Sequence, residues 1–89
     1  MSKEVLLSSR AQREYEKLSP EMRKRIKAAL RKLASGEKRL DVKKLMGVNG
    51  REDLFRLRVG DYRIAYRPEK SAIKVIRIDH RRKGYRWLD

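Results

Sequence analysis

The stretch Leu54-Phe55-Arg56-Leu57-Arg58-Val59-Gly60-Asp61-Tyr62-Arg63-Ile64-Ala65-Tyr66-Arg67 alternates apolar with basic residues on both sides of a Gly-Asp pair. A period of two on each arm of a two-residue, glycine-containing turn specifies a β-hairpin. The turn also fixes the register: Val59 faces Tyr62, Arg58 faces Arg63, Leu57 faces Ile64, Arg56 faces Ala65 and Phe55 faces Tyr66. Because residues paired across strands share a face, Phe55, Leu57, Val59, Tyr62, Ile64 and Tyr66 make one apolar surface. Arg56, Arg58 and Arg63 meet on the other. Like charges directly opposite one another repel, so this second surface calls for compensation. A polyanion would supply it, since guanidinium forks grip phosphate and the released counterions favour binding. Pairing with Asp61, Asp79 and neighbouring glutamates is the alternative.

Upstream, Lys3-Glu4-Val5-Leu6-Leu7 is β-prone, and Ser9 with Gln12 three residues on has capping-box spacing. A first helix is expected from about Arg10 to Leu18, with Ala11, Tyr15 and Leu18 on its apolar stripe. Ser19-Pro20-Glu21 restarts a helix through a capping hydroxyl, a proline in the first turn and a carboxylate at the positive end of the dipole. Met22, Ile26, Ala29, Leu30 and Leu33 line its buried side, and Ser35-Gly36 stops it. The two form an antiparallel helical hairpin. Residues 37–53 carry the weakest signal, but a structureless loop of that length is unusual in a small domain, so part of it is expected to pack or pair. Downstream, Pro68-Glu69-Lys70-Ser71 turns the chain into a strand from about Ala72 to His80. Ile73 and Val75 break the parity of Ile76 and Ile78, which predicts a bulge or a strand covered on both sides.

The whole chain has 89 residues, enough for one domain, residues 1–89, with one core. Its 26 Lys and Arg against 12 Asp and Glu give a net charge of +14, more than internal pairing can consume. That charge points to a polyanionic partner. No cysteine and a single histidine, His80, argue against thiolate or histidine metal sites, and no cofactor or metal is expected. No apolar run approaches the ~20 residues of a bilayer span and no secretory leader is visible, so a cytoplasmic protein without a membrane partner is expected. One Asn and one Gln beside abundant Lys, Arg and Glu suit a thermophilic source. The final segment interleaves aromatics with cations: His80-Arg81-Arg82-Lys83-Gly84-Tyr85-Arg86-Trp87. Tyr85 suits stacking on an unpaired base, while Trp87 followed by Leu88 reads as a C-terminal anchor.

The order of elements, the block Lys43-Lys44-Leu45-Met46-Gly47, the hairpin and the segment Ile78-Asp79-His80-Arg81-Arg82-Lys83-Gly84-Tyr85 together resemble the RelE/ParE superfamily of toxin–antitoxin toxins, on its archaeal or thermophile-like RelE branch. The resemblance implies an α+β, microbial-ribonuclease-like fold: an N-terminal strand, a two-helix hairpin on an antiparallel sheet and a short basic tail. It implies a ribosome-dependent endoribonuclease that cuts messenger RNA in the decoding site and inhibits translation. The partners implied are a RelB-like antitoxin, in a complex that can be a higher oligomer, and the ribosome with its mRNA. Arg63 matches the family's phosphate-stabilising arginine, Arg81 the arginine near the leaving oxygen, and Tyr85 the tyrosine that orients the substrate base. His80 stands where some members use a histidine in proton transfer. Arg56 matches a basic strand position, whereas Leu54 replaces a further lysine. Arg58, Lys43, Lys44, Arg82, Lys83 and Arg86 complete the expected RNA-binding set.

Such chemistry needs a deprotonated 2′-hydroxyl, stabilisation of the developing phosphorane charge and a proton for the leaving 5′-oxygen. Arginine serves the second need. It serves the first poorly because it stays protonated, which leaves His80, Tyr85 or a ribosomal group as base. A ParE-like gyrase inhibitor and a non-catalytic RNA- or ribosome-binding module are the competing expectations.

Overall fold

The computed structural model describes residues 2–48 and 51–83. The central hairpin joins β3 (Arg51–Val59) to β4 (Tyr62–Pro68) in the register its turn dictates, from Phe55 opposite Tyr66 to Val59 opposite Tyr62. Gly60 adopts φ +57°, and the Arg25 guanidinium comes within 3.2 Å of where a β-carbon would stand. Glycine thus serves both the turn and the close approach.

Around the hairpin the elements run β1 (Glu4–Leu7), α1 (Ser9–Glu16), α2 (Pro20–Ala34), β2 (Val42–Val48), β3, β4, β5 (Ala72–His80) and a 3₁₀ turn (Arg81–Lys83). The sheet order is β1-β5-β4-β3-β2. It is mixed rather than wholly antiparallel, because β1 pairs in parallel with β5, from Glu4 opposite Ala72 to Leu7 opposite Val75. Part of the 37–53 segment does pair, as β2 against β3. Two register shifts, at Lys44/Met46 and Met46/Val48, deny it the strict alternation that would advertise a strand.

β5 carries a bulge, one of the two expectations for this strand. Tyr66 faces Val75 and Ala65 faces Arg77, which leaves Ile76 as the extra residue. The inserted residue resets parity, so Ile73, Val75 and Ile78 all reach the core despite their uneven spacing. There they meet Leu57, Val59, Ile64 and Tyr66 from the hairpin, and Ala11, Leu18, Ile26, Leu30 and Ala34 from the helical layer. Burial raises the Tyr66 phenol above its ordinary value of 10.0.

α2 begins at Ser19, whose side chain accepts from Met22 N, with Pro20 in the first turn, and it ends before Gly36 at φ +87°. Arg23 ties the inter-helix turn by donating to the carbonyls of Glu16 and Leu18 at 3.2 and 3.1 Å. α1 is capped by Ser8 and not by Ser9: the Ser8 hydroxyl oxygen accepts from Ala11 N at 3.0 Å and also donates to Ile76 O at 3.0 Å. Two adjacent serines offer the same signal, and only Ser8 has the extended backbone that aims its side chain at the first turn. Ser8→Ala is therefore expected to cost about 0.5–2 kcal/mol in urea unfolding, and Ser9→Ala much less. Equal losses would contradict this assignment. Among the described residues no helix is long and apolar enough to cross a membrane.

Candidate nucleic-acid interface

Both helices cover the apolar side of the hairpin, which leaves the arginine side facing outward. The register sets Lys43 against Arg56, Arg58 against Arg63, Arg63 against Asp79 and Ala65 against Arg77. Lys43, Arg56, Arg58 and Arg63 line a cavity of about 120 Å³ on this side. Ala65 lies between Arg56 and Arg77 in the same layer and contributes only a methyl group.

Compensation of these charges is partial. Asp41 pairs with Arg56 at 3.0 Å, and its carbonyl accepts from Arg58 N at 2.9 Å. Asp79 pairs with Arg77 at 3.3 Å. Among the described residues neither the Lys43 ammonium nor the Arg58 guanidinium has an acidic partner. A dense cationic layer around a small cavity suits one compact anion with several acceptor oxygens, such as a phosphodiester. Leu54 belongs to the same side of β3 and is 3% exposed, so a lysine there would have to bury its ammonium.

Strand alternation divides the sequence-predicted residues between the two sides of the sheet. Lys44 is opposite Phe55, on the side away from Lys43; its ammonium lies 6.0 Å from the Phe55 ring and 3.4 Å from Asp53. His80 is opposite Tyr62, with the rings edge to face at 5.3 Å. It therefore lines the helix side, in a cleft of about 430 Å³ that Arg10, Arg13, Lys17 and Lys83 also line. His80 Nδ1 accepts from Arg82 N at 3.2 Å, which puts the proton of the neutral ring on Nε2.

Arg81, Arg82 and Lys83 form the exposed 3₁₀ turn. Arg81 is drawn to the hairpin turn, where its backbone N–H donates to Asp61 O at 2.7 Å and its guanidinium approaches the Asp61 carboxylate at 3.6 Å. Tyr85, Arg86 and Trp87 lie outside the described residues. Among the described residues no three His, Cys, Asp or Glu side chains group as metal ligands would. Sequence reasoning passed over Arg77 as a member of the arginine layer, although its shared parity with Asp79 was the available signal.

A small α+β scaffold that shields one side of its sheet with helices and lines the other with arginine defines a small basic protein with a cationic sheet face. The sequence matches, over residues 5–85, the family described as ParE toxin of type II toxin-antitoxin system, parDE. The chain belongs to this family and is a toxin of a toxin–antitoxin module, in the RelE/ParE superfamily and on its RelE branch. It is similar to the archaeal RelE–RelB complex from Pyrococcus horikoshii, with 27% identity, 96% of this chain and 99% of that chain covered, and a TM-score of 0.72. The RelBE2 toxin-antitoxin complex from Mycobacterium tuberculosis is 26% identical over 90% of this chain and 99% of that chain, with a TM-score of 0.62. The RelB-RelE complex from Methanococcus jannaschii, 24% identical over 94% of this chain and 99% of that chain, shares the fold with a TM-score of 0.70. No curated protein sequence matches the chain.

Proposed function

We propose that this toxin is a ribosome-dependent, metal-independent endoribonuclease that cuts messenger RNA in the decoding site and so inhibits translation in the cytoplasm. The observation that carries the reading is the cavity lined by Lys43, Arg56, Arg58 and Arg63 on the outward side of the sheet. A scissile phosphate held there has Arg63 and Arg58 directed at its non-bridging oxygens, and these stabilise the charge of the phosphorane. Arg81, beside the same hairpin turn, serves the leaving 5′-oxygen, and Tyr85 orients the base. Arg82, Lys83 and Arg86 extend the basic surface along the RNA. The ribosome supplies alignment, which is why naked RNA is a poor substrate. A RelB-like antitoxin is the partner that neutralises the toxin, as the structural relatives are RelE–RelB complexes.

His80 stands apart from this phosphate, on the helix side of the sheet. Its Nδ1 lone pair is engaged by Arg82 N–H, so the neutral ring offers Nε2–H and no free basic nitrogen. The base is then Tyr85 or a ribosomal group. His80→Gln, which keeps a donor, is expected to hold single-turnover cleavage within about tenfold of the parent, whereas loss of a proton-transfer group costs ~10²–10⁴-fold. A loss in that larger range would make His80 the proton-transfer residue.

The family description favours one rival, a ParE-like toxin acting on DNA gyrase. Purified toxin added in parallel to a translation reaction and to a gyrase supercoiling assay separates the two. The endoribonuclease reading expects cut messenger and unaffected supercoiling. Intact messenger with blocked supercoiling would overturn it.

A further inference from the structure

Among the described residues Asp79 is the buried charged side chain, 4% exposed, and it lies in the arginine layer rather than against the helices. The register places it directly across from Arg63, which is itself directly across from Arg58. Three charged side chains thus stand in one row over β3, β4 and β5, with facing β-carbons about 4.5–5.5 Å apart. One carboxylate oxygen of Asp79, Oδ2, accepts from Arg77 Nε at 3.3 Å. The other, Oδ1, is buried without a hydrogen-bond partner.

That arrangement is a poor way to stabilise a sheet. A buried carboxylate must offset the loss of its hydration, and leaving one oxygen unmatched adds to the cost. A β-branched apolar residue in an inner strand such as β5 would carry no such cost. What the carboxylate does accomplish is electrostatic: without it Arg63 has Arg58 on one flank and no counter-charge directly across the other. Repulsion would then swing the Arg63 guanidinium away from Arg58 and open the cavity the two share.

We propose that Asp79 is a positioning residue for the reaction, holding the Arg63 guanidinium beside Arg58 so that both meet one phosphate. The proposal rests on the endoribonuclease reading above. It makes Asp79 a determinant of rate rather than of affinity, since removing a negative charge from a phosphate-binding layer should not weaken RNA binding.

The test pairs Asp79→Asn with Asp79→Thr and reads two quantities for each. The first is single-turnover cleavage of messenger on programmed ribosomes as a function of toxin concentration. The expected result is a rate constant lowered by about 10–100-fold, the scale of a displaced catalytic group, with the half-saturating concentration unchanged or lower. The second is the Arg63 Nε–H resonance of the free toxin by ¹⁵N NMR, expected to move toward the position of a solvated arginine. A rate within twofold of the parent, a loss expressed as weaker ribosome binding, or an unmoved Arg63 resonance would each overturn the proposal. Failure of both variants to fold would also overturn it, by making Asp79 a structural residue. If the parent protein itself leaves messenger intact on ribosomes, the endoribonuclease reading falls instead, and the Arg63 resonance still decides the coupling to Asp79.

Discussion

Arg63→Ala is expected to reduce ribosome-dependent cleavage by on the order of 10²–10³-fold, the loss typical of removing one preorganised stabiliser of a developing oxyanion. The reason is its place in the row. Arg63 is flanked across the strands by Arg58 and Asp79, and it shares its cavity with Arg58, Arg56 and Lys43. Alanine leaves three cations around the cavity, enough to retain most of the attraction for RNA, but removes the side chain whose strand partners are Arg58 and Asp79. The loss should therefore fall on the rate constant, with ribosome affinity changed far less. A non-catalytic RNA-binding module would behave differently, with affinity and translational inhibition falling together. Single-turnover cleavage and ribosome co-sedimentation, measured on the same preparation, distinguish the two outcomes.

Ile64→Ala should be the most damaging of the simple core truncations, at about 2–5 kcal/mol in urea denaturation. Ile64 is fully buried, in the middle strand of the sheet, between Leu57 on β3 and Ile78 on β5. Neighbouring strands on both sides leave little freedom to collapse into the space vacated, so the upper half of the range is expected. Native domains hold only about 5–15 kcal/mol in total. The same strand carries Arg63 one residue away, so partial loosening of the core should also blunt cleavage before the chain unfolds. A cost below about 1 kcal/mol would mean that the layer between helices and sheet is less tightly packed than the burial implies.

The hairpin was fully legible because its register is local: Gly60-Asp61 fixes every pair from Val59–Tyr62 to Phe55–Tyr66. From that register alone the meeting of Arg56, Arg58 and Arg63 on one side followed. The parallel pairing of β1 with β5 was not legible, since no turn joins strands so far apart in sequence and no local residue pattern encodes their direction. β2 was obscured by its two register shifts. The relation of Asp79 to Arg63 depends on a single residue. Counting back from the Pro68–Ile73 pair without a bulge would set Arg63 against Ile78, and Ile76 as the inserted residue moves the partner on to Asp79. A bulge was one of two expectations for this strand, and its position was not foreseen. The separation of His80 from Arg63 and of Lys44 from Lys43 has a related origin, in that neighbours along a strand point to opposite sides of the sheet. A basic cluster in sequence is divided by the fold into two surfaces.

The endoribonuclease reading is tested most directly by primer extension on a defined messenger incubated with the purified toxin, with and without ribosomes, at physiological salt. The account predicts cuts at codons in the decoding site only when ribosomes are present, and their loss with Arg63→Ala. Messenger left intact on the ribosome, or naked RNA cut as readily as ribosome-bound RNA, would contradict it.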